Sequence, residues 1–479
     1  MKATEQIKRT ALEKTFDYFL ADPEHNIVKI MDLLDKVAPN NLFGNQRKAF
    51  RNAIDNQDNW YQLIMRVLND TNPLVRDTLV KTFLIDGNLM AWPKQEENRD
   101  KYECNIPWAI LLDPTSACNL HCQGCWAAEY GNNQNLSLEE INSIIEQGKE
   151  LGTHVYIYTG GEPLVRKRDL ITICEMHPDC AFLAFTNGTL VDEEFCQEMI
   201  RVKNFVPAIS VEGFEQATDA RRGDGTYQKV IKAMNVLRKN GLPFGVSCCF
   251  TSENAGSIAS TEFFDWLIEK GALFAWIFTY MPVGVNSPAS LIPNPDQREY
   301  LYHFVRKMRS EKPLFTLDFQ NDGEFVGGCI AGGRRYLHIN SAGDVDPCVF
   351  VHYSNANIRE VSLLDALRSP IFMEYYSEQP FSDNLLKPCP LLENSGKLTE
   401  MVERSCAHSS DLEAQETAEE LCSKTKQAAL DWAPYAKRLW NNPSDPMFEK
   451  RHMSDDQGMA ETDMHKFERL GRVRTRGEE

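Results

Sequence analysis

The chain has 479 residues, 42% of them hydrophobic and 25% charged, an ordinary globular composition with room for two or three structural units. Its formal net charge of -18 argues against a general nucleic-acid binder, which would carry a basic surface. Fourteen cysteines without an export signal fit a reducing, cytoplasmic compartment, where thiols serve metals and redox chemistry rather than structural disulfides.

The N-terminus, MKATEQIKRTALEKTF, lacks the basic-then-apolar pattern of a secretory signal. Residues 1 to about 90 read as helix after helix. Ile7, Ala11, Leu12, Phe16, Phe19 and Leu20 share one face, Asp22-Pro23 ends that run, and the pattern repeats over 27–37, 47–54, 60–68 and 74–83. Such faces usually pack into a small helical domain and less often touch a membrane or partner. Residues 87–105 read as a linker, so the first unit is residues 1–100.

From Ile106 the period changes. Residues 108–113 form a buried strand, followed by a helix over 138–151, with Ser137 as N-cap and Glu140 completing a capping box. Strands over 154–158, 181–185, 205–210, 244–250 and 273–280 then alternate with helices, and a further strand covers 314–319. This α/β rhythm implies a parallel sheet with right-handed crossovers, open or curled into a barrel, whose active face lies at the strand C-termini. The run 273–285, the most apolar late in the chain, contains Thr279, Pro282 and Gly284 and is too short to span a bilayer. Residues 101–320 make the second unit. A third, 321–410, holds a hairpin over 336–348 turning at Ala342-Gly343 and a short helix capped by Ser362. Residues 411–479 read as an acidic helix to about Trp440, then a polar, disordered tail.

Directly after the first strand comes Cys118-Asn119-Leu120-His121-Cys122-Gln123-Gly124-Cys125. Three thiolates so close together form a metal or cluster site, since iron–sulfur clusters select thiolate. A structural zinc site wants four ligands, whereas three thiolates can hold a 4Fe–4S cube and leave one iron free. At the end of the second strand sits Gly160-Gly161-Glu162-Pro163, whose glycines let backbone approach a ligand. Cys174, Cys180, Cys196, Cys248, Cys249 and Cys422 read as small buried hydrophobes.

CNLHCQGC, TGGEP (159–163), TNG (186–188) and SVEG (210–213) fall on successive strand ends. The set resembles the radical S-adenosylmethionine (radical SAM) superfamily over roughly residues 106–285. The resemblance implies a partial (β/α)6 TIM-type barrel and a cluster held by Cys118, Cys122 and Cys125, whose free iron takes the amino and carboxylate groups of S-adenosylmethionine. Gly160, Gly161, Glu162 and Pro163 would receive the methionine amino group, and Ser210 and Glu212 the ribose or methionine end. Arg222 would pair with the carboxylate, and Asn187 lies on the same rim. Many members carry an aromatic immediately before the third cysteine, packed on adenine. Here Gly124 stands there and Trp126 follows, so either Trp126 takes over or adenine is held differently.

Cys329-x13-Gly343-x4-Cys348, with Cys389 and Cys406 beyond, resembles the C-terminal SPASM or twitch extensions that bind auxiliary 4Fe–4S clusters. Four cysteines imply one auxiliary cluster, with His352 an alternative to Cys406 as fourth ligand. Asp318, Asn321, Asp322 and Glu324 stand near the barrel's open end and could position substrate or simply solvate a turn.

The sequence thus predicts an oxygen-sensitive enzyme with an all-helical N-terminal domain, a partial barrel and a small α+β cysteine-rich C-terminal domain. Its resemblance implies reduction by a ferredoxin or flavodoxin, cleavage of S-adenosylmethionine to a deoxyadenosyl radical, and hydrogen abstraction from a substrate. Peptide maturation is the leading substrate class. Radical modification of a lipid or small molecule is the alternative, and a non-enzymatic iron–sulfur carrier or a zinc-stabilised module the rivals.

Overall fold

The apolar runs after Ile106 pair side by side. β1 (Ala109–Leu112), β2 (Val155–Tyr158), β3 (Ala181–Thr186), β4 (Phe205–Ser210), β5 (Gly245–Phe250), β6 (Phe274–Thr279) and β7 (Phe315–Asp318) run parallel in chain order, with helices in the crossovers. β1 and β2 are buried at every residue, as strands covered on both faces must be. This computed structural model describes residues 3–37, 44–448 and 451.

The helix Leu138–Leu151 shows how sequence fixes a crossover. Ser137 and Glu140 form the reciprocal capping box, Ile141, Ile144, Ile145 and Leu151 are buried, and Gly152 closes the end at φ 100°.

The sequence assigns the hairpin near residue 340 to a separate C-terminal unit. Instead β8 (Tyr336–Ile339) pairs in parallel with β1, Ala109 opposite Tyr336 and Leu112 opposite Ile339. β9 (Val345–Asp346) returns antiparallel beside β8, and the sheet order is β7-β6-β5-β4-β3-β2-β1-β8-β9. Without β8, the buried β1 would be an edge with unpaired backbone groups. The result is a partial barrel closed on one side by the C-terminal cysteine-rich region.

The presumed linker is also different. Residues Val80–Met90 form a wide helical turn of π type, and Ala91–Tyr102 continues as α-helix, burying Ile85, Gly87, Ala91 and Gln95. These helices lie under the barrel. Gln95 Nε2 donates to Gly152 O (2.8 Å), Asn72 N to Gly241 O (2.7 Å), and Arg66 to the carbonyls of Ala272 and Pro313. Those carbonyls immediately precede β2, β5, β6 and β7. Phe83 meets Trp108 edge-on at 6.0 Å, and Trp60 meets Phe315 at 6.2 Å. The N-terminal helices therefore floor the N-terminal end of the barrel, opposite the loops that carry the chemistry.

The acidic C-terminal segment forms the helix Ala418–Trp440, opened by a Thr417/Glu420 capping box. Trp432 donates its indole N–H to Leu386 O (2.9 Å) and packs in a cluster with Tyr302 of the helix Pro295–Glu311. The disordered tail read from the sequence falls largely on residues 452–479, which lie outside the described residues. Among the described residues no helix is long and apolar enough to cross a membrane.

Candidate active site

The three loop thiols and most of the strand-end residues open onto one cavity of about 210 Å³. Cys118, Cys122 and Cys125 line it together with Gly160, Gly161, Glu162, Asn187, Ser210 and Arg222. The loop is held by backbone exchange with the glycine turn. Gly161 N donates to Thr115 O (3.0 Å) and Glu162 N to Ala117 O (2.9 Å). A side chain at position 161 would put its Cβ 2.3 Å from the Ala117 carbonyl oxygen, so only glycine permits this approach. On the other flank Asn187 Nδ2 donates to Asn119 Oδ1 (2.8 Å), and Asn119 Nδ2 to Thr189 Oγ1 (2.8 Å). Burial pushes the Cys118 thiol up to about 11 and also raises Cys125. Thiolate forms in such a place only against a cation. The donor set and the side-chain-free cradle fit a three-thiolate 4Fe–4S cluster with an open edge.

Two of the expected contacts belong to the framework. Glu162 is 1% exposed, and its carboxylate accepts from Thr186 Oγ1 (2.7 Å), Asn187 N (2.7 Å) and Leu164 N (2.9 Å). Burial raises its pKa against those bonds. It ties the loop after β2 to the loop after β3, while Pro163 starts the short helical turn beyond and does not line the cavity. Glu212 is fully buried and lies off the cavity wall. Its Oε1 accepts from Arg221 Nη1 (2.9 Å) and Arg222 Nη2 (2.5 Å), and its Oε2 from Cys249 N (2.7 Å). Glu212 therefore holds the Arg221 and Arg222 guanidiniums in place on the wall. Arg222 Nη1 reaches Cys122 Sγ at 3.8 Å. Arg221 lines the same wall, a residue outside the four sequence motifs. The Arg-Arg doublet after SVEG was its available signal.

The Gly124 question resolves in part. At φ +63° its missing Cβ would lie 2.6 Å from the Tyr280 ring, so a tyrosine from the end of β6 fills the space beside it. Trp126 also lines the cavity and is boxed edge-on by Tyr130 (6.1 Å), His338 (5.6 Å), Phe350 (6.4 Å) and His352 (5.9 Å). Behind this box, His338 Nε2 meets Asp113 Oδ1 (3.0 Å) and its Nδ1 meets Asp346 Oδ2 (3.3 Å), all three side chains fully buried. Burial opposes the imidazolium, but the two flanking carboxylates overcome it and raise His338 to about 9.

Away from the thiols the cavity wall is mainly aromatic and aliphatic, with Ser247, Thr279 and Arg335 also on it. Leu111, Ile157, Phe185, Trp276, Phe278 and Phe319 line it, with Phe278 touching Phe185 (5.6 Å), Trp276 (6.0 Å) and Phe319 (5.0 Å).

The second cysteine set is assembled by the fold. Cys348 Sγ sits 2.8 Å from Tyr336 Oη and accepts from Phe350 N (3.5 Å), while Cys389 Sγ accepts from Leu392 N (3.4 Å). Burial pushes Cys329 up to about 11 and Cys348 up to about 12. Burial also raises Cys389, and Glu393, Cys329 and Cys348 add to it. Cys406 does not share this setting. It is exposed, in left-handed conformation (φ 53°) at the end of the helix Ser395–Ser405. Cys422, read from the sequence as a small buried hydrophobe, is buried; burial raises Tyr375, and Cys329, Cys348, Cys389 and Cys422 add to that electrostatically. His352 has both ring nitrogens engaged, by Asp411 Oδ1 (2.6 Å) and Val349 O (3.0 Å), and is unsuited as a ligand. The acidic group near residue 320 is paired too. Asp322 bonds Arg309, Glu324 bonds Arg306, and Asn321 Oδ1 accepts from Arg298 Nε (2.9 Å). These residues brace the junction between β7 and the C-terminal region.

Residues 112–263 match the Radical SAM superfamily and residues 329–391 the SPASM iron–sulfur cluster-binding domain. An AdoMet-dependent heme synthase of Methanosarcina barkeri is 26% identical over 285 residues, covering 53% of this chain and 80% of that one. A PqqA peptide cyclase of Gluconobacter oxydans is 25% identical over 301 residues, covering 59% and 82%. Among solved structures, Streptococcus suis SuiB bound to its precursor peptide SuiA superposes with a TM-score of 0.47 at 18% identity, covering 57% and 68%. The chain thus carries a Radical SAM domain over residues 112–263 followed by a SPASM domain over residues 329–391, an architecture that indicates an enzyme.

Proposed function

We propose that Cys118, Cys122 and Cys125 hold the catalytic cluster, and that the enzyme abstracts hydrogen from an apolar C–H group seated in the aromatic part of the same cavity. When bound, the cluster supplies the electron that splits S-adenosylmethionine into methionine and a 5′-deoxyadenosyl radical. The chain's own contribution is placement. The Gly160–Gly161 turn offers backbone to the methionine amino group, Arg221 and Arg222 present positive charge to its carboxylate, and Ser210 and Asn187 stand on the rim. Phe185, Trp276 and Phe278 exclude water from the reacting centre. The observation that carries this reading is that the thiols, the glycine cradle and the aromatic wall share one cavity. Reduced anaerobic enzyme with S-adenosylmethionine should yield 5′-deoxyadenosine. A reconstituted sample that yields none, with or without candidate substrates, would overturn it.

Cys329, Cys348 and Cys389 would hold one auxiliary 4Fe–4S cluster, and a one-electron donor such as a ferredoxin or flavodoxin would serve the enzyme in the cytoplasm. Peptide maturation is one substrate reading, in line with the PqqA peptide cyclase relative. The cavity favours the other, a lipid or small molecule with an apolar body. A peptide backbone brings N–H and C=O groups that need partners when buried, and the wall away from the thiols is mainly apolar, Ser247, Thr279 and Arg335 being among the few polar side chains besides the Trp276 indole N–H. Turnover on deuterated cell extract, separated into lipid and peptide fractions, distinguishes the two. Deuterium should enter 5′-deoxyadenosine from the lipid and small-molecule fraction, and transfer from the peptide fraction alone would reverse the choice.

A further inference from the structure

Glu212 has one carboxylate and two arginines. Its Oε1 takes both guanidiniums and its Oε2 takes the Cys249 N–H, so the buried group carries one positive charge more than Glu212 neutralises. That surplus faces the loop thiols. Arg222 places Nη1 at 3.8 Å from Cys122 Sγ, within reach of a charge-assisted N–H···S bond, and its side chain is 10% exposed. The loop is fixed to the same element from behind, since Gln123 N donates to Arg221 O (2.9 Å). Resting on the proposed cluster, we infer that Arg222 sets the reduction potential of that cluster through the Cys122 sulfur, a role separate from any contact with the S-adenosylmethionine carboxylate. A cation bonded to a ligating thiolate favours the state with one more electron, because hydrogen bonds and net charge at the sulfurs govern such potentials. Burial keeps water from screening the effect. Arg222 is thus a positioning and tuning residue, and Glu212 is what keeps its long side chain in place.

The test is a redox titration of the full-length, anaerobically reconstituted protein, without S-adenosylmethionine, followed by electron paramagnetic resonance. The relevant signal is the one that changes when S-adenosylmethionine is later added. Arg222→Met should make reduction at least tenfold less favourable, a midpoint about 59 mV or more lower for one electron. Arg222→Lys, which keeps the charge but loses the fork, should recover part of the shift. Arg221→Met, which leaves the sulfur bond and still leaves Glu212 paired, should shift the midpoint less. An unmoved midpoint in Arg222→Met with iron content intact, or equal shifts in the Arg221 and Arg222 variants, would overturn the inference. A wild-type protein that takes up no iron and sulfide at the loop would instead overturn the function on which it rests.

Discussion

The two cysteine sets of this chain are built in opposite ways. Cys118, Cys122 and Cys125 come from eight consecutive residues, line a cavity and have two arginines on their wall. Cys329, Cys348 and Cys389 come from separate segments between residues 329 and 389, with Cys348 Sγ against Tyr336 Oη, Cys389 N donating to Glu393, and Arg334 Nη1 donating to the Cys329 carbonyl. The first set is a property of a loop, presented outward to a ligand. The second is a property of the folded domain, its thiols drawn from separate segments and absent from the lining of that cavity. A cluster that must meet a small molecule needs an open edge, while one that stores or relays electrons is better served by enclosure. The comparison teaches that exposure to a cavity, rather than cysteine count, separates a reacting site from a structural or relay one.

The largest expected effect comes from removing the loop thiols. The triple variant Cys118→Ala/Cys122→Ala/Cys125→Ala should abolish 5′-deoxyadenosine formation entirely yet retain iron and sulfide, measured by chemical analysis after anaerobic purification. Iron-free protein would show that the C-terminal set holds no cluster of its own. The reciprocal variant, Cys329→Ala/Cys348→Ala/Cys389→Ala, should lose that residual iron and bind S-adenosylmethionine at the loop cluster as before. Loss of S-adenosylmethionine binding in the second variant would mean that the two sets are not separable in the way their geometry suggests.

A finer distinction concerns the fourth ligand of the closed set. Cys406 is exposed and Cys422 is buried. Cys406→Ala should leave cluster content and its spectrum unchanged. Cys422→Ala should alter the auxiliary signal or reduce its occupancy. The opposite ranking would require the helix Ser395–Ser405 to rearrange on cluster binding.

Much of the barrel was legible in the sequence because its information is local. The all-apolar runs of β1 and β2, the Ser137/Glu140 box and the glycine pair at 160–161 each state their structure within a few residues. Strand-end positions put the loop thiols and the glycine pair on one face, while Asn187, Ser210 and Arg222 came from the family resemblance. What stayed hidden depends on distance in the chain. That β8 completes β1, that residues 80–102 continue as helix under the barrel, and that Glu212 is consumed by Arg221 and Arg222 are all decided by partners far away or by charge balance. Cys422 looked like any buried thiol because its neighbours sit in other segments. The acidic residues around 320 looked available because the arginines that pair them lie on the preceding helix.

The smallest effect, and the one that probes how the two regions are joined, lies at His338. Its imidazole is clasped between Asp113 at the end of β1 and Asp346 on β9, so it links the cysteine loop's strand to the C-terminal hairpin. With a folded pKa of about 9 against an unfolded value near 6.5, the native state binds the extra proton more tightly. That stabilisation is fully present below pH 6.5 and is lost as pH rises through 9, on the order of 3 kcal/mol across the window. His338→Gln cannot titrate, so its denaturant midpoint should be lower at pH 6 and should lose the wild-type decline between pH 6.5 and 9. Parallel curves for the two proteins would mean that His338 is neutral in the fold, and that the barrel and the C-terminal hairpin are held by β1–β8 pairing and apolar packing without an ionic clasp. A change of slope confined to that window would show that the open and closed cysteine sets are joined through a buried charge, so that alkaline conditions loosen the junction before they reach either set.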